Sequence, residues 1–173
     1  SKGRLVNFKN TIVIMTSNLG SQIIQENYEK AKDPESDELF ERTKLEVMMV
    51  LKSSLRPEFL NRVDEVIMFT PLGKHQIENI VKLQLHLLGE RLSKSEIELV
   101  VTPDALSYLA AKGFDPQYGA RPVKRTIQKE VMNELSKYIL SGKIDKSEAV
   151  VLDVFDGQIV FRKKIDDEAL IEV

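Results

Sequence analysis

Arg56-Pro57-Glu58-Phe59-Leu60-Asn61-Arg62-Val63-Asp64 decides how this chain is organised. The stretch leads into the apolar run Val66-Ile67-Met68-Phe69, and Glu65–Phe69 has the composition of a strand. Pro57 suits the first turn of a short helix. Arg62 then stands at the end of that turn, just before the strand, where its guanidinium can point outward at an anion on a neighbouring molecule. Two other polar residues occupy comparable junctions. Asn18 follows Thr11-Ile12-Val13-Ile14-Met15-Thr16, a short β-branched run of the kind buried on both faces within a parallel sheet. Arg121, in Gly119-Ala120-Arg121-Pro122, opens a pattern that predicts a long helix to about Leu140.

Working outward, Val6–Asn10 alternates as a strand or hairpin does, and Ser17-Asn18-Leu19-Gly20 stops the buried run. Ser21–Ser36 is charged and weakly patterned, with a break at Asp33-Pro34-Glu35-Ser36. Leu39, Phe40, Val47, Val50 and Leu51 predict a helix over about 37–53. Pro71-Leu72-Gly73 is the expected boundary, dividing the chain into 1–71, 72–164 and an acidic, loosely ordered tail, 165–173. Beyond it Ile77, Ile80, Val81, Leu85, Leu88 and Leu92 share one helical face, and Glu98–Val101 is a predicted strand. Thr102-Pro103-Asp104 supplies an N-cap, a proline at the first helical position and an acid in the first turn of a helix ending at Gly113. Val123, Ile127, Val131, Leu135 and Ile139 line the next helix, with Gly142 at its end. Asp156-Gly157 joins two strands as a hairpin. The expected architecture is the end of an α/β domain followed by a small α+β domain of three helices and a small sheet.

Composition narrows the function classes. At 173 residues the chain is long enough for one or two domains with a real core. A net charge of −2 argues against a general nucleic-acid surface, and the basic cluster Lys124, Arg125 and Lys129 lacks the interleaved aromatics of a base-stacking platform. The absence of cysteine removes disulfides and thiolate metal sites. No apolar run approaches the ~20 residues that span a bilayer. The opening Ser1-Lys2-Gly3-Arg4 has no signal-peptide pattern, and the expectation is a cytoplasmic segment of a longer protein.

Each junction residue has a chemical use and a plainer alternative. An amide at Asn18 can orient a water against a phosphate, or simply close an Asx-turn. Arg62 can act as an arginine finger, worth roughly 10³–10⁵ in rate in NTPases, or pair with Glu58, Asp64 or Glu65. Arg56 precedes Pro57 and is better suited to anchoring the turn. Arg121 gains nothing from a helix dipole that disfavours cations at its N-terminus, so a bound anion would explain it, with Gly119 allowing close approach. Its alternative is a solvated arginine on a basic helix. Gly73-Lys74 lacks the rest of a P-loop, and Asp64-Glu65 does not end an apolar strand as a Mg²⁺-binding acid would. His75 and His86, eleven residues apart on one helix, are about 16 Å apart and cannot share a metal. No metal site is expected.

Taken in order, Val6-x-Phe8-Lys9-Asn10-Thr11, Ile14-Met15-Thr16-Ser17-Asn18-Leu19-Gly20, Arg56–Glu65 and Gly119-Ala120-Arg121-Pro122 resemble the second AAA+ module of the ClpB-type protein disaggregases, over about residues 3–163. The resemblance implies an α/β remnant of an AAA+ large subdomain followed by a small α+β lid. It implies sensor 1 at Asn18, an arginine finger acting in trans at Arg62 and sensor 2 at Arg121, with Gly119 and Ala120 beside it at the nucleotide. It further implies an ATPase parent using ATP with Mg²⁺, working as a homohexameric ring on unfolded or aggregated polypeptides with a DnaK-type chaperone system. Neither nucleic acid nor membrane is an expected partner. Walker A, Walker B, the pore loop and the coiled-coil middle domain are not in this sequence, so this segment alone is expected neither to bind ATP tightly nor to hydrolyse it. Two alternatives remain: a ClpA/ClpC-type unfoldase feeding ClpP, and a non-catalytic oligomerisation or adaptor module. The former carries a Gly-containing docking tripeptide in the insertion after sensor 1, and Ser21–Ser36 has no glycine.

Overall fold

The structure, a computed structural model, describes residues 3, 6–115, 118–142, 148–165 and 168–173. Ser1, Lys2 and Arg4 of the opening and Asp166 and Asp167 of the acidic tail lie outside the described residues. The chain divides into two compact units, Ser1–Pro71 and Leu72–Val173.

The first unit is built on α1 (Ser21–Glu29), α2 (Asp37–Ser54) and the single turn α3 (Pro57–Leu60). The sequence pattern does not predict α1, because it buries no residue completely. Its support comes from α2 instead. Gly20 takes φ +80 at its N-cap, and a Cβ there would meet the Val47 side chain at 3.1 Å. Asn27 Nδ2 donates to Thr43 Oγ1 at 3.2 Å and to Glu46 Oε2 at 2.9 Å. On α2, Leu39, Thr43, Val47 and Leu51 recur every four residues and form the buried stripe. Thr43 is wholly buried, and the Asn27 amide satisfies its hydroxyl.

Three expected strands of this unit do not form. Residues 6–10 form no strand, and a turn over 8–11 is closed by the Thr11 N–H donating to the Phe8 carbonyl at 3.2 Å. The runs 11–16 and 65–69 carry no sheet pairing among the described residues. Their apolar side chains are in solvent: Ile12 is 91% exposed, Ile14 84% and Phe69 81%. The physical reason is that a strand satisfies its backbone only through neighbours. The apolar composition is that of a buried strand, but no described segment pairs with either run.

The second unit carries the sheet. Its elements are α4 (Lys74–Ser93), β1 (Leu99–Val101), α5 (Pro103–Gly113), α6 (Val123–Thr126), a π-helical turn (Ile127–Met132), α7 (Asn133–Leu140), β2 (Val150–Phe155), β3 (Gln158–Lys163) and β4 (Ile171–Glu172). The strand order is β3-β2-β1-β4. β1 and β2 are parallel with Leu99 opposite Val150, α5 to α7 forming the crossover, and the other two pairs are antiparallel. Asp156 at φ 49 and Gly157 at φ 69 supply the left-handed pair that a tight β2–β3 hairpin needs. The core lies between sheet and helices, with Val81 and Leu85 of α4, Leu109 of α5, Val131, Val101 and Leu152 all shielded from solvent.

Two expectations for this unit are corrected. Arg121 does not open the helix, which begins at Val123 with Pro122 as N-cap. A residue preceding proline is disfavoured from helical geometry. The helix also widens into the π turn over Ile127–Met132. Val123, Ile127, Val131 and Leu135 repeat every four residues and are all buried, a repeat that α2 carries within a regular α-helix. The acidic tail is the second correction. Ile171–Glu172 pairs with β1, and Glu168 receives the Arg162 guanidinium, Nη1 to Oε1 at 3.0 Å.

That arginine ties three elements together. Arg162 Nε donates to Asp153 Oδ2 at 2.7 Å, and Asp153 Oδ1 accepts from the Thr102 hydroxyl at 2.9 Å. Thr102 in turn caps α5 by accepting from the Ala105 N–H at 3.2 Å. Burial alone would push the Asp153 carboxyl up, but Arg162, the Val154 N–H and Thr102 outweigh it and hold it below its ordinary value. Glu168 is also held low, chiefly by Arg162 and then by the Ile165 N–H.

The two units differ in what a truncation costs. Leu109→Ala, in the closed core, is expected to lower stability by about 2–5 kcal/mol. Ile14→Ala, at an exposed position, is expected to change it by less than ~0.5 kcal/mol. Urea unfolding monitored by circular dichroism measures both.

Candidate functional site

α3 positions Arg62. Pro57 occupies its first turn and Arg56 its N-cap in extended geometry, as expected for a turn-anchoring residue. Asn61 N–H then donates to the Pro57 carbonyl at 2.9 Å, Arg62 N–H to Phe59 at 3.0 Å and Val63 N–H to Leu60 at 3.1 Å. The backbone at Arg62 is thus held by successive hydrogen bonds while its side chain stands in solvent. None of the three suggested carboxylates, Glu58, Asp64 or Glu65, pairs with it, and no described carboxylate makes a salt bridge to it.

Asn18 lies in the turn before α1, where its carbonyl accepts from the Ser21 N–H at 3.1 Å. The side-chain turn at this point is made by Ser17, whose hydroxyl accepts from the Leu19 N–H at 3.1 Å. Asn18 therefore does not form the Asx-turn that was its plainer reading, and its amide is exposed. The loop before Arg121 is closed by two backbone bonds, Asp115 N–H to the Gly119 carbonyl at 3.0 Å and Gly119 N–H to the Asp115 carbonyl at 2.6 Å. Gly119 takes φ +62 with open space where a Cβ would stand, so its backbone conformation rather than crowding calls for glycine. Arg121 is exposed, and Ala120 is partly buried against the core.

Arg62, Asn18 and Arg121 are thus two exposed guanidiniums and one exposed amide on hydrogen-bonded turns. Such groups can meet an anion, bidentately in the case of arginine. Within the first unit no hydrogen bond among the described residues joins Asn18 to Arg62. Among the described residues no group of three or more His, Asp or Glu side chains is placed to hold a metal ion. His75 faces Asn79 at 3.2 Å, and His86 lies 3.8 Å from Glu90, both along α4. No helix among the described residues is long and apolar enough to cross a membrane.

A cavity of about 210 Å³ on the second unit was not predicted from the sequence. Leu72, Lys74, Ile77, Ser107, Ala110, Ala111 and Phe114 line it, and the wall is chiefly apolar. The available signal was the pair of small residues Ala110 and Ala111 near the end of α5, which keep that face low. On the same unit Lys112 bridges Glu130 at 2.9 Å and the Tyr108 hydroxyl at 2.8 Å, and both partners, Glu130 foremost, hold its ammonium in the charged form.

Exposed side chains without partners contribute little to folding. Asn18→Ala, Arg62→Ala and Arg121→Ala are each expected to leave the stability of the chain within ~0.5 kcal/mol of the wild type. Thermal melts of the three variants measure this, and a loss well above that for Arg62→Ala would reveal a structural ion pair.

Comparison with known proteins gives these turns a family context. Residues 72–152 match the model of the C-terminal, D2-small domain of ClpB protein, and residues 1–66 match the AAA domain (Cdc48 subfamily). The Chaperone protein ClpB of Bacteroides thetaiotaomicron is 50% identical over 162 residues, covering 94% of this chain and 19% of that protein. The Probable chaperone protein ClpB 1 of Chlorobaculum tepidum is 44% identical over 164 residues, 95% of this chain and 37% of the relative. Chaperone protein ClpB2, chloroplastic, of Oryza sativa is 47% identical over 98% of the chain and 18% of its own length. The chain thus spans only about a fifth to two fifths of these curated relatives. With residues 1–66 matching the AAA domain and residues 72–152 the D2-small domain of ClpB protein, the chain belongs to the ClpB family.

Proposed function

We propose that the chain works as part of an ATP-driven protein disaggregase of the ClpB type. In this reading residues 1–71 belong to the large nucleotide-binding subdomain of the second AAA module, and residues 72–164 are its lid. Arg62 is the arginine finger, reaching the nucleotide held by the next subunit of a homohexameric ring. Asn18 is sensor 1, and Arg121 is sensor 2 with Gly119 and Ala120 beside it. The observation that carries this reading is Arg62 itself, exposed and without an ion-pair partner among the described residues, on a backbone fixed by three successive hydrogen bonds.

The chemistry assigned to these side chains is limited and specific. A transferring phosphoryl group spreads negative charge over its oxygens, and a fixed guanidinium supplies compensating charge without needing to reorganise. Arg62 would supply that charge from outside the subunit and Arg121 from within it. The Asn18 amide can donate to a phosphate oxygen and accept from a water, so it suits placing the water for attack. The chain offers no phosphate-binding loop and no candidate carboxylate for Mg²⁺, so these groups complete a site whose nucleotide is gripped elsewhere in the parent. The isolated chain is accordingly a poor ATP binder and not an ATPase.

The exposed apolar runs fit the same reading. Surface as apolar as 11–16 and 65–69 marks an interaction or a missing neighbour, and the remainder of the large subdomain would cover it. A match to the ClpB lid model over 72–152 favours the ClpB reading over a ClpP-delivering unfoldase. The parent's clients would be unfolded or aggregated polypeptides, with a DnaK-type chaperone system as partner, in the cytoplasm.

Mixed rings test the assignment. Full-length parent carrying Arg62→Ala, combined with a subunit unable to hydrolyse ATP, is expected to lose turnover at the second module by roughly 10³-fold or more while still binding nucleotide. Unchanged turnover would remove Arg62 from the catalytic machinery.

A further inference from the structure

Gly89 is an anomaly in the longest helix of the chain. It lies inside α4 (Lys74–Ser93), where glycine weakens a helix relative to alanine. It is buried, and a Cβ built there would stand 2.3 Å from the Val173 carbonyl oxygen and 2.5 Å from its carbon. The three heavy atoms nearest that position all belong to Val173. The helix therefore has a notch, and the segment ending at Val173 fills it.

The same segment fills the open edge of the sheet. Val150 N–H donates to the Glu98 carbonyl, and Thr102 N–H donates to the Leu152 carbonyl. Even-numbered backbone groups of β1 thus face β2, leaving those of Leu99 and Val101 to face outward. There β4 pairs in antiparallel register, with Ile171 opposite Val101 and Glu172 opposite Val100. Ile171 and Val173 pack against the core while Glu172 is exposed, the alternation expected of a half-buried edge strand. Upstream, Glu168 is held by Arg162, which orders the segment before it reaches β1.

We propose that the outer edge of β1 and the Gly89 notch form a strand-acceptor site for an extended peptide with apolar side chains at alternate positions, occupied in cis by Glu168–Val173. Its recognition is that of an added strand: backbone hydrogen bonds hold the peptide, and side-chain seats select it. Only two residue pairs register the occupant, so it is held by few ladder bonds and is displaceable by a competing strand. The site lies outside the 72–152 stretch shared with the lid model on its peptide side, and it is independent of the nucleotide chemistry assigned above.

The test uses a chain shortened to end at Lys164 and a labelled peptide of residues 165–173. Saturable binding is expected, weakened at least tenfold by Gly89→Ala, which closes the notch. No saturable binding, or equal binding by both forms, overturns the proposal. Should the shortened chain not fold, the full chain decides through melting temperature and Val101 amide exchange. With the segment docked, Gly89→Ala is expected to lower the melting temperature. With Ile171→Asp displacing the segment, the same change is expected to raise it, because alanine then only improves the helix. The same sign in both backgrounds, or Val101 exchange unaffected by Ile171→Asp, would refute the site.

Discussion

A β-strand cannot satisfy its own backbone, and that constraint separates the two units of this chain. In the second unit β1 is paired on both sides, by β2 and by β4, and its three residues are all buried. A packed core follows from that closure, with α4, α5 and α7 laid against the sheet. In the first unit the runs 11–16 and 65–69 have the same apolar character and find no partner among the described residues. The same chemistry thus gives a sheet in one place and exposed, irregular chain in the other. What differs is the supply of neighbouring strands.

The polar residues assigned to function share a second property. Arg62, Asn18 and Arg121 each follow or sit within a turn whose backbone is hydrogen-bonded locally, while the side chain has no work to do in the fold. Their cost to stability is small, and their geometry is set by short-range bonds rather than by core packing. That combination suits groups that must be presented to a ligand on another molecule or another part of the molecule. By contrast, Arg162 is consumed by structure, tying Asp153 of β2 to Glu168 of the tail. An arginine's chemistry alone does not distinguish the two roles; the partners within reach do.

Much of the second unit was legible because its signals are local. Thr102-Pro103 sets the start of α5, Asp156-Gly157 sets the hairpin, and the periodicity of Ile77, Val81, Leu85 and Leu88 sets α4. What escaped was decided by distant contacts. α1 is stabilised through Asn27 and Gly20 against α2 rather than by an apolar stripe of its own. β4 pairs with β1 while Arg162 and the Gly89 notch receive its segment, and Ile171-Glu172-Val173 is too short an alternation to announce a strand by itself. The π turn has no local signal, since its four-residue buried repeat also occurs in the regular α-helix α2. The strands expected at 11–16 and 65–69 failed for the opposite reason, since their local signal is strong and their partners are absent from the described residues. Around the candidate site, the short turn that carries Arg62 was legible from Pro57, whereas Arg121 was expected to open a helix and precedes it. That Arg62 and Asn18 would be free of the pairings their neighbours offered was not legible, because it depends on side-chain placement.

Amide hydrogen exchange of residues 11–16 and 65–69, compared between the isolated chain and the full-length parent, would decide whether these runs are sheet strands deprived of neighbours. Slow exchange in the parent and fast exchange in the isolated chain is the expected result, since pairing would protect both runs only when their partners are present. Fast exchange in both would contradict it, leaving the first unit without a sheet and the roles proposed for Arg62 and Asn18 without a frame.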